Sequence, residues 1–478
     1  MAADVIIVGA GPVGLFLAIE LATAGVKPLL LERLAEPDRA IKAASVGAVA
    51  AEALERRGLG PALDHELRAT LALMMPALRA RFGSGPPKKP GGHFSGMFLI
   101  EQSLQRDPDR HMRPVPQDAL EKLLGARAIE LGVEMRRGVT VEGFEQNADR
   151  VMVHTSTGTL ATQYLVGCDG GRSRVRKLAG FEFPGTEPTI TGYQALVEFD
   201  DPQKLATGWH RTPRGLIASG PVPGRVFTAE FNGPPANRDA PITLAEVEAA
   251  IQRVSGTDIK VRAMSMATRW TDNARQATTY RMGRVLLAGD ATHIHSPFGG
   301  QGLNLGLVDA ANLGWKLAAA ARGRDALLES YTAERHPVAA RVLENTRAQV
   351  ALMRPDALTS ALRSIVGELM KLPEANRYFG EMLTGVGIRY DLEDEEPLVG
   401  TLVKDQPIKL ADGREERLYA LMTHGGGLFL SPAERKLPQN VRQVRTQAGT
   451  SLLVRPDGCI AWTSTSSKPL DDALARWF

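Results

Sequence analysis

The chain has 478 residues, 44% hydrophobic and 23% charged, the make-up of a soluble globular protein large enough for two or three domains. Fifty-seven basic residues against 54 acidic ones leave a net charge of +3, too even a balance to mark nucleic acid or an anionic membrane as a partner. Two cysteines, Cys168 and Cys459, exclude a disulfide framework and suggest a reducing cytoplasm; no charged-then-apolar leader opens the chain, and no apolar run reaches the roughly 18 residues of a membrane span.

The first predicted element is a buried strand, Asp4–Val8 (DVIIV), followed at once by Gly9-Ala10-Gly11-Pro12-Val13-Gly14. Leu15–Ala24 then has helical apolar spacing, and Pro28–Leu31 reads as a second strand ending at Glu32. Strand, G-x-G-x-x-G, helix, strand and acid in one unit form a dinucleotide fingerprint. In it Gly9 permits the tight turn, Gly11 lets a pyrophosphate approach the backbone beside Pro12 and Val13, and Gly14 lets the helix pack on the sheet. Glu32, 18 residues after Gly14, is placed to accept from a ribose 2′-hydroxyl, which argues for FAD or NAD over NADP at this site. Arg33 either flanks that ribose or is a solvated surface charge.

Further along, Gly83–Gly92 (GSGPPKKPGG) predicts a Pro/Gly-rich loop inserted between apolar flanks that include Met74, Met75, Phe94, Met97 and Phe98. Tyr164–Arg176 (YLVGCDGGRSRVR) predicts another strand, an Asp169-Gly170-Gly171 turn and a basic helix start. Between 181 and 275 the pattern changes to alternation, as in Tyr193–Phe199 and Arg225–Phe231, typical of antiparallel strands. Val285–Ala288 is again a short apolar strand, Gly289-Asp290 turns the chain, and Gly299–Gly306 carries glycine at four of eight positions. A helix through Leu307, Ala310, Ala311, Gly314 and Leu317 follows, so the segment reads as a backbone cradle for a large, oxygen-rich cofactor, with a helix-entry loop that holds no ligand as the alternative. Long helices continue to about 375, and beyond 385 Gly425–Leu430 and Ser451–Trp462 predict strands of a small final unit.

These three motifs, together with Tyr331-Thr332-Ala333-Glu334-Arg335-His336-Pro337, resemble the class A flavoprotein monooxygenases, the para-hydroxybenzoate hydroxylase type. Within them the chain is most similar to bacterial hydroxylases of polycyclic aromatic polyketides. The resemblance implies an α/β fold in three parts. A Rossmann-like FAD-binding domain would span 1–180 and 276–375, a β-sheet substrate domain 181–275, and a thioredoxin-like domain 385–478. That last domain would have no redox role, because Cys459 stands alone without a C-x-x-C. It also implies FAD, NADPH or NADH as a transient co-substrate, and O₂, with oxygen passed from a flavin C4a-hydroperoxide to an electron-rich ring in a dry pocket. The partner is then a small aromatic substrate, and the protein a cytoplasmic monomer or homodimer. The same scaffold also serves Baeyer–Villiger and antibiotic-inactivating monooxygenases, or a flavin-binding protein without turnover.

By that resemblance Pro297 lies beside the reacting oxygen, and the N–H groups of Leu303 and Asn304 face the flavin carbonyl. Asp290 follows Gly289 to hold the ribityl chain, and Gly289, Gly299 and Gly302 are cofactor-binding positions of the same segment. Asp169 sits near the pyrophosphate, and Gln117 matches a family glutamine. Where the family carries an arginine pair, this chain has Arg39-Ala40-Ile41-Lys42 and then Val49; Lys42 stands for the first arginine and Val49 replaces the second. His293 reads as a packing and hydrogen-bonding residue under the loop, whereas His295 faces either the flavin edge or the substrate, which makes it the candidate catalytic histidine. Tyr193, Trp270 and Phe298 are candidate substrate contacts, with core packing as the alternative for the strand aromatics. Arg172, Arg174 and Arg176 are candidates for nicotinamide-nucleotide phosphates or a solvated basic helix start. No ligand spacing for a metal is present.

Overall fold

A computed structural model of the chain describes residues 3–38, 40–82, 90–220, 222–447 and 449–478. Arg39 and most of the predicted Pro/Gly-rich loop lie outside them. One six-stranded sheet organises the molecule, in the order Arg281–Met282, Val285–Leu287, Tyr164–Gly167, Val5–Val8, Pro28–Glu32, Glu134–Arg137. All but the first strand are parallel. The central members, VIIV, PLLLE and YLVG, are covered on both faces, which is why they read as unbroken apolar runs; the edge strand EMRR is not.

Helix Pro12–Thr23 and helix Gly302–Ala320 lie against each other on this sheet. Their contact depends on glycine: a Cβ on Gly314 would come within 2.4 Å of Glu20 Cβ, and one on Gly306 within 2.7 Å of Val13. The second helix starts five residues before the predicted Leu307. The glycine-rich segment is therefore loop only through Gln301, and Gly306 within it serves helix packing.

A second, antiparallel sheet runs Gly208–Thr212, Gly215–Ser219, Arg225–Glu230, Thr191–Phe199, Val261–Trp270. Helix Leu244–Ser255 covers its outer face with Val247, Ala250, Ile251 and Val254. That helix is capped by the Thr243 hydroxyl, which accepts from Glu246 N–H at 3.2 Å, and stops at Gly256 with φ +74°.

The final unit is a four-stranded mixed sheet, Val441–Arg445, Gly427–Ser431, Leu452–Val454, Ile460–Thr463, with helix Leu470–Trp477 beside it. Its core is continuous with that of the first sheet: Leu453, Cys459 and Trp477 belong to the same buried cluster as Trp315. No helix among the described residues is long and apolar enough to cross a membrane.

Candidate active site

A cleft of about 2000 Å³ opens where the parallel strands end and runs beneath the antiparallel sheet. The location follows from topology. Val5–Val8 is followed in sequence by a neighbour on one side and later by Tyr164–Gly167 on the other, and ligands bind where the strand order so reverses.

At the nucleotide end, Gly9 has φ +107°, and a Cβ there would stand 2.4 Å from the Cys168 carbonyl oxygen. A Cβ on Gly14 would sit 2.0 Å from the Gly9 oxygen, so Gly14 acts behind the cleft surface. Around Gly11, by contrast, a Cβ would meet no protein atom within 4 Å. Helix Pro12–Thr23 begins there with no side-chain cap, and Gly11, Pro12 and Val13 at its N-terminus line the cleft. Glu32 accepts from Ala10 N–H at 2.8 Å and Leu34 N–H at 2.9 Å, which fixes its carboxylate at the cleft rim. Arg33 also borders the cleft. Asp169 accepts through one oxygen from the Arg174 and Val175 N–H groups at 2.6 and 3.1 Å, while its other oxygen is buried without a partner. Of the three candidate arginines, Arg176 is spent on the Ala291 and Gly171 carbonyls, Arg174 donates to the Glu142 carbonyl, and Arg172 pairs with Asp239 at 2.5 Å.

Pro297, Gly299, Gly302, Leu303 and Asn304 line the middle of the cleft. Asn304 ties two segments together: its side-chain oxygen accepts from Gly47 N–H at 2.6 Å and its amide donates to the Gly300 carbonyl at 2.8 Å. Gln117 accepts from Ala43 N–H at 3.5 Å and donates to Glu121. Lys42 pairs with Asp38 at 2.9 Å, and Val49 lines the same stretch. Asp290 opens to the cleft, and the surrounding protein raises its carboxyl pKa against the pull of His293 and Lys42. Gly289 does not reach the cleft; at φ +64° it packs on Val13 and donates its N–H to Asp309 at 3.2 Å.

The two histidines differ. His293 is fully buried and bonds Asp309 through Nε2 at 2.7 Å. Asp309 in turn receives Arg335 Nε at 2.7 Å, and Arg335 also donates to the Tyr390 hydroxyl at 3.1 Å. Asp309 and Arg335 support the Gly289–His293 turn, a role visible only in three dimensions. His295 lines the cleft, and burial lowers its pKa to about 4, so its ring is neutral at ordinary pH. Its Nδ1 donates to the Ser296 carbonyl at 2.8 Å, because that oxygen can only accept; Nε2 is therefore a buried lone pair without a partner, close to Gly302 and Asp290. This geometry suits accepting from a hydroxyl and does not suit a cationic acid.

Beneath the antiparallel sheet the wall is aromatic. Phe227 stacks on Trp270 with ring centroids 4.8 Å apart and planes 20° apart, and Trp209 lies 5.6 Å from Phe227. His93 and Phe98, on the hairpin Pro90–Phe94 with Met97–Glu101, lie 4.8 Å from Trp209 and 4.9 Å from His93 respectively. Two expected substrate contacts are corrected here. Tyr193 faces the opposite side of its strand, packed on helix Leu244–Ser255 with its hydroxyl donating to Glu246; its neighbour Gln194 takes the cleft side. Phe298 is 1% exposed and props the wall from behind, 5.5 Å from Trp270 and edge-on to it. Phe94 and Met97 belong to a satellite core with Leu352 and Met370, whereas Met74 borders the cleft. The sequence reading missed Trp209, Phe227, Gln194 and Arg225; the alternation of Arg225–Glu230 held the signal, since Arg225 and Phe227 share a face.

A dinucleotide turn, a cleft with unpaired polar groups and an aromatic wall define a flavoprotein that acts on rings. FAD fits on this chain's own terms: the open approach at Gly11, the free helix N-terminus, and the orphan Asp169 oxygen and His295 nitrogen all lack protein partners. When bound, FAD supplies the redox and oxygen-transfer chemistry. The protein's part is to bind, to orient and, through the loop packed against the aromatic wall, to exclude water.

Comparison with known proteins agrees. Residues 2–346 match the FAD binding domain family and residues 396–478 the aromatic-ring hydroxylase C-terminal family. The chain is 40% identical to 12-dehydrotetracycline 5-monooxygenase/anhydrotetracycline 6-monooxygenase of Streptomyces rimosus, covering 99% of this chain and 98% of that one. It is 36% identical to a rifampicin monooxygenase of Streptomyces venezuelae, with the same coverage. Among solved structures, CabE, an aromatic hydroxylase from angucycline biosynthesis, superposes with TM-score 0.89 at 33% identity, covering 100% of this chain and 99% of CabE. The chain belongs to the FAD-binding aromatic-ring hydroxylase family and is an FAD-dependent aromatic monooxygenase.

Proposed function

We propose that this monooxygenase uses NADPH or NADH and O₂ to hydroxylate a polycyclic aromatic polyketide or a similar phenolic natural product, in the cytoplasm. The observation that carries the reading is the continuity of the cleft from Gly11 to the Trp209–Phe227–Trp270 wall, which puts nucleotide and flat ring in one enclosure. In it Glu32 holds the adenosine ribose, and Asp290 and His295 take the ribityl hydroxyls. The free N–H groups of Leu303 and Asn304, in the first turn of an uncapped helix, stabilise charge on the flavin pyrimidine ring, and Pro297 borders the reacting edge. The names of the relatives support a fused-ring substrate, and the rifampicin monooxygenase favours a second reading, oxidative inactivation of an antibiotic.

The test is anaerobic reduction of the FAD-loaded protein by NADPH, followed by O₂, with and without anthracycline- and angucycline-type phenols. The reading expects one phenol to accelerate reduction and to emerge heavier by one oxygen atom. Reduction that no phenol accelerates, with oxygen consumed and no product formed, would contradict it.

A further inference from the structure

Arginines at the antiparallel sheet differ in their partners. Arg253, on the covering helix, makes two bonds of 2.9 Å to Glu230, and Arg269 bonds both oxygens of Glu246 at 2.7 and 2.9 Å. Arg211, on the edge strand, instead donates to the Met353 carbonyl at 3.3 Å and the Ser360 hydroxyl at 3.0 Å. Arg225 has no carboxylate at ion-pair distance among the described residues; its one protein bond runs from Nη2 to the Lys42 carbonyl at 3.2 Å. It is half-buried in the cleft wall, and burial lowers its pKa with no opposing charge beside it. Lys42, whose carbonyl that bond reaches, has its own ammonium on Asp38 at 2.9 Å. A guanidinium stays charged whatever its surroundings, so stripping it of water without a counter-charge costs free energy that an anion would recover.

Its placement says which anion. Arg225 and Phe227 are two apart on one strand, hence on the same face and about 7 Å apart along it. Phe227 carries the stack with Trp270, and Gln194, its cross-strand partner, also lines the cleft. A flat ring laid on Phe227 presents its rim, where ring hydroxyls sit, to the guanidinium.

We propose that Arg225 anchors the ionised phenol or enol oxygen of a fused-ring substrate that lies against Phe227 and Trp270, an assignment resting on the aromatic substrate proposed above. On binding, the O–H bond breaks, its proton passes to solvent, and the oxyanion accepts the guanidinium N–H groups that Lys42 leaves free. The ionised ring is also more electron-rich, the form an electrophilic oxygen donor attacks.

The test uses 1,8-dihydroxyanthraquinone, whose ionised form absorbs at longer wavelength than oxidised flavin, with FAD-loaded protein and no NADPH. The absorbance of bound dye is titrated with pH in the native protein, in Arg225→Gln and in Arg225→Lys, each checked for matching FAD content. In native protein the ionisation midpoint is expected to fall by about one pH unit or more below that of free dye, a tenfold change in ionisation constant. Arg225→Gln should return it to the free value and weaken binding about tenfold, while Arg225→Lys should keep most of the shift with poorer affinity. A native midpoint equal to the free dye's, or one unchanged in Arg225→Gln, overturns the anchor and leaves the aromatic reading standing. Failure of native protein to bind the dye at all brings down the aromatic reading and the anchor together.

Discussion

The hairpin Arg455–Asp457 and the cleft both bury charge, but they do so on opposite terms. Around Glu334 every strong donor has an acceptor: Arg455 delivers two bonds at 2.8 and 2.7 Å, Lys316 one at 2.8 Å and Asn312 one at 2.7 Å. Arg455 also bonds Asp457 at 2.5 Å; the Arg455–Glu334 bonds and the Asn312 bond to Asp457 at 3.1 Å staple the final unit to helices Gly302–Ala320 and Glu329–Met353. In the cleft, an Asp169 oxygen, His295 Nε2 and the Arg225 guanidinium have no such partners. The charges of the closed cluster are satisfied within the chain and hold the fold, whereas these three face the cleft and are open to a ligand.

The largest expected effect comes from breaking the closed cluster. Arg455→Met strands Glu334 and Asp457 and should cost about 3–5 kcal/mol, read as a lower denaturation midpoint, with FAD affinity little changed in the molecules still folded. Acid should do the same gradually. Burial raises the Glu334 pKa, but the Arg455 and Lys316 charges outweigh it and hold the carboxyl well below its ordinary range; Asp309, beside Arg335 and His293, is likewise held low. For depressed carboxyls the stabilisation is present above the unfolded-state value and lost as pH falls toward the folded one, so a denaturation series should show stability falling with pH below about 4.5.

A smaller effect is expected at Gly14, where an added methyl meets the Gly9 oxygen at 2.0 Å. Gly14→Ala should cost about 1–3 kcal/mol by forcing helix and strand apart, and FAD retention on gel filtration should fall with it. The mildest is Tyr193→Phe. It removes the hydroxyl bond to Glu246, worth about 1 kcal/mol, and should leave the affinity for any aromatic ligand unaltered, since the ring faces helix Leu244–Ser255. A tenfold loss of ligand affinity in that variant would put Tyr193 back in the site.

Much of the nucleotide half was legible because its signals are local. Strands 5–8, 28–32, 164–167 and 285–287 are apolar runs bounded by glycine turns, and glycine positions announce close backbone approach. The substrate half depends on phase. Tyr193 and Gln194 are adjacent on one strand, and which of them faces the cleft is set by the helix at 244–255, fifty residues on. Phe298 sits in a loop whose sequence carries no period to say inside from outside. The Asp309–Arg335 support and the Glu334 cluster join residues from 16 to more than 100 positions apart, beyond any local pattern.

Gly11 offers the most direct measurement. Its φ of −76° suits alanine, and the added Cβ meets no protein atom within 4 Å, so only a bound ligand can object to it. Titration of the flavin-free protein with FAD, in native form and as Gly11→Ala, should show equal thermal midpoints and an affinity at least about tenfold weaker in the variant, roughly 1.4 kcal/mol. Equal FAD affinity in the two proteins would contradict the placement of the dinucleotide against Gly11, and with it the assignment of the cleft.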